Sequence, residues 1–269
     1  MTGREGKDIS ILMGETLGCH YRRGSPSEIS KFMQCMRKAS AHTIVSYTYD
    51  AVKAPTIDVI QNIPLAPVID GELFLESPSK LLSNPDSEAY KFFKSLDIIV
   101  GNCNSEGSLL LLNIPRFQKR YDFDLNKGVP QDIFCGKIAK SFADVYFNGD
   151  ESIKDAVCKE YGRTDEAEQA RQLVDMYTDF FFLVPSVNTL NYHAGNQTNH
   201  STYQYIFTQR SPVPFGPNRP PWYVGSGHAS ELTYLFGIRD LPKNITVTKE
   251  DLTLSDKMIA YWTNFAKNG

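Results

Sequence analysis

The feature that most limits the fold of this chain is a short apolar run that ends in a turn with an acidic residue. Residues 96–101 (LDIIVG) predict a buried β-strand, and residues 102–108 (NCNSEGS) predict a glycine-bounded turn that carries Glu106. In open α/β folds, functional groups gather where the strands end at their carboxyl edge. The pattern therefore favours an α/β fold with Glu106 beside a site. The alternative is an acidic residue on an exposed turn.

A histidine follows a glycine-serine-glycine turn much later in the chain. His228 comes directly after residues 225–227 (GSG) and precedes an acidic, partly apolar run that begins at Glu231. Histidine is the side chain whose ordinary pKa lies nearest neutral pH, and a loop on a rigid scaffold is where it can exchange protons. His228 is therefore a candidate general base that Glu106 would orient. The alternative is a hydrogen-bonded structural histidine.

Six short segments, in order along the chain, resemble the carboxylesterase type B family, the cholinesterase-like branch of the α/β-hydrolases. They are residues 16–19 (TLGC), 35–37 (CMR), 67–71 (PVIDG), 104–108 (NSEGS), 228–237 (HASELTYLFG) and 261–266 (YWTNFA). The resemblance implies an α/β-hydrolase fold with a catalytic triad, in which Glu106 is the acid and His228 is the base. Glu231 is interpreted as a buried structural acid.

The nucleophile of such a triad is missing from this sequence. α/β-Hydrolases carry the serine in a G-x-S-x-G turn that precedes the acid and the histidine. Residues 1–269 contain no such pentapeptide, and the glycine-rich segment that supplies oxyanion donors in the family is also lacking. We therefore expect residues 1–269 to be the C-terminal portion of a single, incomplete α/β-hydrolase domain, a mixed sheet flanked by helices. Its partner would be the N-terminal half of that domain, and alone it would be inactive.

The resemblance also identifies positions of a substrate pocket. Cholinesterases have acyl-pocket phenylalanines where this chain has Gln61 and Ile63, and the choline-binding members have aromatic rings where it has Leu109, Leu110 and Ser230. Without those rings, a quaternary ammonium group loses its cation–π partners. We therefore expect a small-molecule carboxylic ester, and not a choline ester, as the substrate. Core packing is an equally good explanation of the two leucines.

Five cysteines and three N-x-S/T sequons bear on the cellular compartment. The family closes the region between Cys19 and Cys35 with a disulfide, so the resemblance implies that pair. Cys135 and Cys158 are either a second pair or two small buried side chains, and Cys103 is the expected free thiol. The sequons begin at Asn196, Asn199 and Asn244. Together these features favour a secreted or cell-surface protein, where disulfides persist.

Charge and composition argue against several classes of protein. The formal net charge of −3 gives no basic field for nucleic acid or for an anionic membrane surface. The most apolar segment, residues 180–184, is much shorter than the roughly 18 residues of a membrane-spanning helix. Residues 1–8 do not resemble a secretory signal. If the full protein is exported, we expect its signal in the absent half. Zinc-ligand spacings and nucleotide-binding motifs are lacking, so neither a metal nor a cofactor is expected.

Periodic patterns predict the scaffold around these residues. Ser25 and Glu28 predict a capping box at the start of a helix. Apolar spacing predicts three further helices, over residues 132–147, 165–182 and 254–265. Residues 203–207 alternate as a strand with an aromatic face. The prolines of residues 211–221 exclude a helix there and predict either a surface loop or a wall of the gorge that leads to His228.

Two functions are consistent with these observations. The first is ester hydrolysis by the complete domain, in which a serine attacks the ester carbonyl and water then resolves the acyl-enzyme. The second is a non-catalytic adhesion or interaction role similar to that of neuroligins, because some relatives with this fold have lost the serine. The presence of both Glu106 and His228 favours the enzyme.

Overall fold

Helices make up most of the chain and flank two strands in a computed structural model that describes residues 3–22, 25–52, 67–195, 200–213 and 219–269. The α-helices are α1 (Gly3–Thr16), α2 (Pro26–Met36), α3 (Ala41–Val52), α4 (Pro78–Leu82), α5 (Glu88–Lys94), α6 (Ile114–Tyr121), α7 (Gln131–Ile133), α8 (Ala139–Tyr146), α9 (Glu151–Tyr161), α10 (Glu166–Thr178), α11 (Val184–Ala194), α12 (Ser230–Phe236) and α13 (Lys249–Asn268). The strands are β1 (Ile98–Cys103) and β2 (Thr202–Phe207).

The two strands form a parallel pair. Ile98 lies opposite Thr202, and Cys103 lies opposite Phe207. Because both strands run in the same direction, the turn after β1 and the segment after β2 leave the sheet at the same edge. The sequence predicted a mixed sheet, but only this parallel pairing occurs in the described ranges, where β1 has a partner strand on one side alone.

One face of the sheet carries the aromatic residues that the alternation of β2 predicts. Successive side chains of a strand point to opposite faces. The Tyr205 ring lies 4.8 Å from the Trp262 ring, and the Phe207 ring lies 5.2 Å from the Tyr234 ring, between centroids. Helices α12 and α13 therefore cover this face.

The opposite face is fixed by a histidine that the sequence did not single out. His193 of α11 is fully buried. Its Nε2 donates to the Leu96 carbonyl at 2.8 Å, and its Nδ1 is hydrogen-bonded to the Thr202 hydroxyl at 2.7 Å. A carbonyl can only accept, so Nε2 carries a proton. The two contacts join α11 to the start of both strands.

The largest hydrophobic core surrounds α10. Its fully buried or nearly buried members include Phe134, Ile138, Leu173, Val174, Met176 and Tyr177. Two helices that the spacing predicted as continuous each contain one wider π-helical turn. Residues Phe134–Ile138 form such a turn between α7 and α8, and residues Asp179–Leu183 form another between α10 and α11. A π turn inserts one extra residue, which changes the faces on which the following side chains lie.

The N-terminal helix signals differ partly from the prediction. Helix α2 begins after Ser25, as expected, but the Ser25 side chain makes no capping hydrogen bond, so the predicted capping box is wrong. The Glu28 carboxylate instead accepts a hydrogen bond from Lys31 one turn later, at 2.7 Å. Both groups are solvent-exposed enough for this ion pair to contribute little to stability.

Two disulfides connect helices to their neighbours. Cys19 is joined to Cys35 in α2, and Cys135 in the first π turn is joined to Cys158 in α9. Cys103 is a free, buried thiol. The Cys19–Cys35 pair and the free Cys103 agree with the expectations, and Cys135 and Cys158, which the sequence left open, form the second disulfide.

We expect loss of the Cys135–Cys158 disulfide to lower the free energy of unfolding by about 3 kcal/mol. The bond joins two cysteines with a sequence separation of 23 residues. Closing a loop of that length removes conformational entropy from the unfolded chain, which accounts for a free energy of about this size. Urea denaturation of the double variant Cys135→Ala, Cys158→Ala measures the change, with Cys103→Ser as the variant that leaves both disulfides intact. An unchanged urea midpoint in the double variant would contradict the expectation.

Candidate functional site

Glu106 begins a 3₁₀-helical segment (Glu106–Asn113) three residues after β1 ends. Its side chain is 4% exposed, and its Oε1 accepts a hydrogen bond from the Cys103 backbone N–H at 2.7 Å. The next residue, Gly107, donates its N–H to the Thr178 hydroxyl of α10 at 2.9 Å. The strand and the core helix therefore hold the carboxylate from two sides, so the exposed-turn alternative for Glu106 is wrong.

Hydrogen bonds join the loop before His228 to the turn that carries Glu106. The Ser105 N–H donates to the Ser226 carbonyl at 3.0 Å, and the Ser226 N–H donates to Asn104 Oδ1 at 2.8 Å. The His228 N–H donates to the Ser108 hydroxyl at 3.0 Å. These contacts continue the parallel pairing of the sheet beyond its two strands, with an isolated bridge between Ser105 and Gly227.

The two loops bring Glu106 and His228 together, although 122 residues separate them in sequence. The distance between Glu106 Oε2 and His228 Nδ1 is 2.6 Å. A carboxylate accepts, so Nδ1 donates, and the neutral imidazole then has Nε2 as its basic nitrogen. The acid is buried, whereas the histidine side chain is 35% exposed. The pair therefore has a buried orienting group and a base that reaches the surface of the described structure.

The carboxylate favours the charged form of the imidazole. The hydrogen bond from His228 to Glu106 raises the pKa of the imidazole above its ordinary value; burial opposes this effect, and the negative charges of Glu106 and Glu231 add to it. The pair therefore stabilises the folded state when the histidine is protonated. That contribution is fully present below the ordinary histidine pKa of about 6.5 and is lost as the pH rises through the raised value.

The residue after His228 has an unusual backbone. Ala229 lies in the left-handed region, with φ of 62° and ψ of 15°, where an L-residue with a Cβ is disfavoured. This conformation turns the chain from the His228 loop into α12. Backbone strain of this kind occurs where the surrounding contacts determine the conformation, and here those contacts are the hydrogen bonds that hold the His228 loop.

The second π turn supplies a neighbour that sequence reasoning missed. The Phe182 ring lies 5.4 Å from the His228 ring, between centroids, with 52° between the ring planes. Spacing along the predicted helix 165–182 gave no indication of this contact, because the π turn at Asp179–Leu183 changes the face on which Phe182 lies. Three consecutive phenylalanines at residues 180–182 are the only sequence signal of a locally unusual helix.

A second carboxylate lies near the pair. Glu231, predicted as a buried structural acid, is half-buried in the first turn of α12. Its Oε2 accepts a hydrogen bond from the Cys103 thiol at 2.8 Å. The free thiol and this acid were separate predictions, and the structure brings them into contact.

The predicted pocket positions have different surroundings. Leu110 is buried in the largest core, beside a cavity of only about 10 Å³ that Trp222 also lines. Leu109 is half-buried, and Ser230 is buried at the start of α12. Trp222 donates its indole N–H to the Leu125 carbonyl at 2.6 Å and covers the core. Leu110 and Trp222 therefore pack in the core, as the packing explanation of the leucines expects.

Several predicted positions lie outside the described residues. These are Gln61, Ile63, Asn196 and Asn199, together with residues 214–218 of the proline-rich loop. The remaining sequon residue, Asn244, is exposed in the segment before α13.

Two further features, a metal site and a membrane-spanning helix, are lacking in the described ranges. Histidine, cysteine and acidic side chains there form no group of three or more that could hold a metal ion. Among the described helices, none combines the length and apolar character needed to cross a membrane.

Comparison with known proteins gives consistent matches. The model of the carboxylesterase family matches residues 2–269. The chain is 26% identical to bile salt-activated lipase of Homo sapiens, over 96% of this chain and 31% of the lipase. It is 27% identical to acetylcholinesterase of Bungarus fasciatus, over 100% of this chain and 40% of that protein. It is 30% identical to a medium-chain fatty acyl-CoA hydrolase precursor of Anas platyrhynchos, over 86% of this chain and 40% of that protein. The chain therefore spans less than half the length of these curated relatives.

Proposed function

Because the chain belongs to the carboxylesterase family, which has the α/β-hydrolase fold, we propose that it supplies the acid and the base of a serine esterase triad. The observation that carries the proposal is the 2.6 Å hydrogen bond between Glu106 Oε2 and His228 Nδ1. The two residues are in the chain order, acid then histidine, that the fold uses.

The geometry indicates the role of each group. Glu106 holds the proton of His228 on Nδ1, so Nε2 is the nitrogen that takes the proton of the serine hydroxyl as its oxygen attacks the ester carbonyl. The imidazolium then gives this proton to the leaving alcohol, and an acyl-enzyme remains. Water repeats the same two steps, which releases the carboxylic acid and regenerates the serine. The hydrogen bond to Glu106 raises the pKa of His228, which supports a role of the carboxylate in stabilising the positive charge formed in each step.

The nucleophile in this proposal comes from residues outside 1–269. The sequence contains no G-x-S-x-G turn, and the chain matches 31% to 40% of the length of the relatives named above. A strand of the rest of the domain would pair with the side of β1 that has no partner in the described ranges. Residues 1–269 would then be the C-terminal portion of a single catalytic domain.

The substrate that we propose is a small-molecule carboxylic ester. Bile salt-activated lipase, acetylcholinesterase and fatty acyl-CoA hydrolase are named for reactions at different acyl compounds, so the family match alone does not select one. The resemblance places Leu109, Leu110 and Ser230 at positions where the choline-binding members have aromatic rings, and the lack of rings at these three positions argues against a choline ester.

We propose that the protein is secreted or displayed at the cell surface. Two disulfides connect elements of the described structure, and such bonds persist in oxidising compartments. Asn244 is exposed and begins the sequon 244–246, so it is accessible for N-glycosylation.

Hydrolysis of p-nitrophenyl acetate tests the proposed function. We expect residues 1–269 alone to hydrolyse the ester no faster than a His228→Ala control. We expect a longer protein from the same gene to hydrolyse it. Serine-to-alanine replacement at the centre of its G-x-S-x-G turn should abolish that activity.

Two results would contradict this proposal. Hydrolysis by residues 1–269 alone that is lost in the His228→Ala variant would show that no external serine is needed. If the longer protein has an inert residue in place of the serine of the G-x-S-x-G turn and does not hydrolyse the ester, the non-catalytic adhesion role is supported instead.

A further inference from the structure

A buried thiol lies between the proposed triad acid and a second carboxylate. Cys103 is the last residue of β1 and is 1% exposed. Its backbone N–H donates to Glu106 Oε1 at 2.7 Å, and its side chain donates to Glu231 Oε2 at 2.8 Å. One residue of the sheet therefore contacts two carboxylates that both act on His228.

Glu231 affects the imidazole through its charge. It lies three residues after His228, in the first turn of α12, and its negative charge adds to the larger effect of Glu106 in raising the pKa of His228. A glutamate side chain has several rotatable bonds, and a carboxylate that turns into solvent is screened by water and salt. The hydrogen bond from Cys103 holds this carboxylate at the end of β1, where the same residue contacts Glu106, the partner of His228.

The thiol is suited to donate a hydrogen bond and not to act as a nucleophile. Burial, together with the hydrogen bond to Glu231 and the nearby carboxylate charges, raises the pKa of Cys103 to about 12. The sulfur therefore keeps its proton at neutral pH, and only a deprotonated thiolate attacks electrophiles efficiently.

We propose that Cys103 and Glu231 form a positioning pair, in which the thiol holds Glu231 as a second negative charge for His228. The inference rests on the proposed function, because it adds a group to the same acid–base pair. The two carboxylates have different tasks. Glu106 fixes the tautomer through Nδ1 and also raises the pKa of the imidazole, whereas Glu231 acts on that pKa through its charge alone.

The other groups in this cluster add no competing charge at neutral pH. Burial first, and then the charges of Glu231, Cys103 and Glu106, raise the pKa of Tyr205 of β2 to about 12, so its hydroxyl stays neutral. The π turn contributes the uncharged ring of Phe182. The negative charges of Glu106 and Glu231 both favour the protonated imidazole.

The test is an NMR titration of the histidine ring signals of residues 1–269. The chain contains five histidines, and the signal absent from a His228→Gln variant identifies residue 228. We expect Glu231→Gln to lower the pKa of His228 by about one unit and Cys103→Ala by about half a unit. Cys103→Ser keeps a hydrogen-bond donor at this position and should leave the pKa near the wild-type value. The double variant Cys103→Ala, Glu231→Gln should match Glu231→Gln alone, because the thiol acts only through that carboxylate.

Two results would overturn the proposal. One is a pKa of His228 that Glu231→Gln leaves unchanged; this variant sits at a half-buried position and does not open the core, so it reports even if Cys103→Ala fails to fold. The other is an additive double variant, which would mean that the thiol acts independently of Glu231. The titration needs no nucleophile, so its outcome is separate from that of the hydrolysis assay.

Discussion

Replacing Glu106 with glutamine should lower kcat for ester hydrolysis about 10⁴-fold in the complete domain. The amide can still contact His228 Nδ1, but it removes the charge that stabilises the imidazolium, and it can donate to Nδ1 and so select the wrong tautomer. Because the carboxylate is 4% exposed, water does not replace the lost charge. The measurement is kcat for p-nitrophenyl acetate, with KM determined in parallel.

The matched control is Glu88→Gln, which removes an acid of the same length from an exposed ion pair with Lys91. It should leave kcat unchanged, since surface pairs of this kind contribute little. A loss of less than tenfold in the Glu106→Gln enzyme would show that the carboxylate is not part of a proton relay. Thermal unfolding of both variants separates a catalytic loss from a folding defect.

Replacing Gly107 with alanine should lower the free energy of unfolding by about 3 kcal/mol or more. A Cβ at this position would lie 2.0 Å from the Val174 carbonyl oxygen and 2.8 Å from Tyr177 Cβ. The carbonyl belongs to the backbone of α10, so no side-chain rotation relieves the clash. Either the helix or the turn that carries Glu106 must move, and urea denaturation measures the result.

Gly136→Ala is the control for the change from glycine to alanine itself. It lies in the first π turn, and its added Cβ would meet nothing within 4 Å. Alanine there should be neutral or slightly stabilising, because glycine is the weaker helix former. Equal effects of the two substitutions would contradict the expected clash at Gly107.

The sequence predicted the position of the acid–base pair better than the elements around it. Glu106 closely follows β1, and the ends of adjacent parallel strands meet at one edge, which favours an approach of the segment after β2. His228 lies well beyond the end of β2, and hydrogen bonds between its loop and the Glu106 turn complete the approach. The long C-terminal helix was predicted from its apolar spacing, which is regular over several turns. It is α13 in the structure.

Other features depend on contacts that no local pattern contains. Strand β1 starts at Ile98 and not at Leu96, whose carbonyl is bound by His193 from α11. The two π turns change helical spacing by a single residue, which apolar periodicity over a whole helix does not resolve. The contact between Cys103 and Glu231 joins residues 128 apart, and neither sequence position indicates the other.

The bridge between Ser105 and Gly227 implies that the proposed acid and base are aligned by main-chain pairing of the segments that carry them. Substitutions in the surrounding loops can then reshape what the protein binds without altering the spacing of its proton-transfer groups. Substitutions that change the specificity of such a protein should therefore spare the Glu106 turn and the His228 loop and occur at other positions.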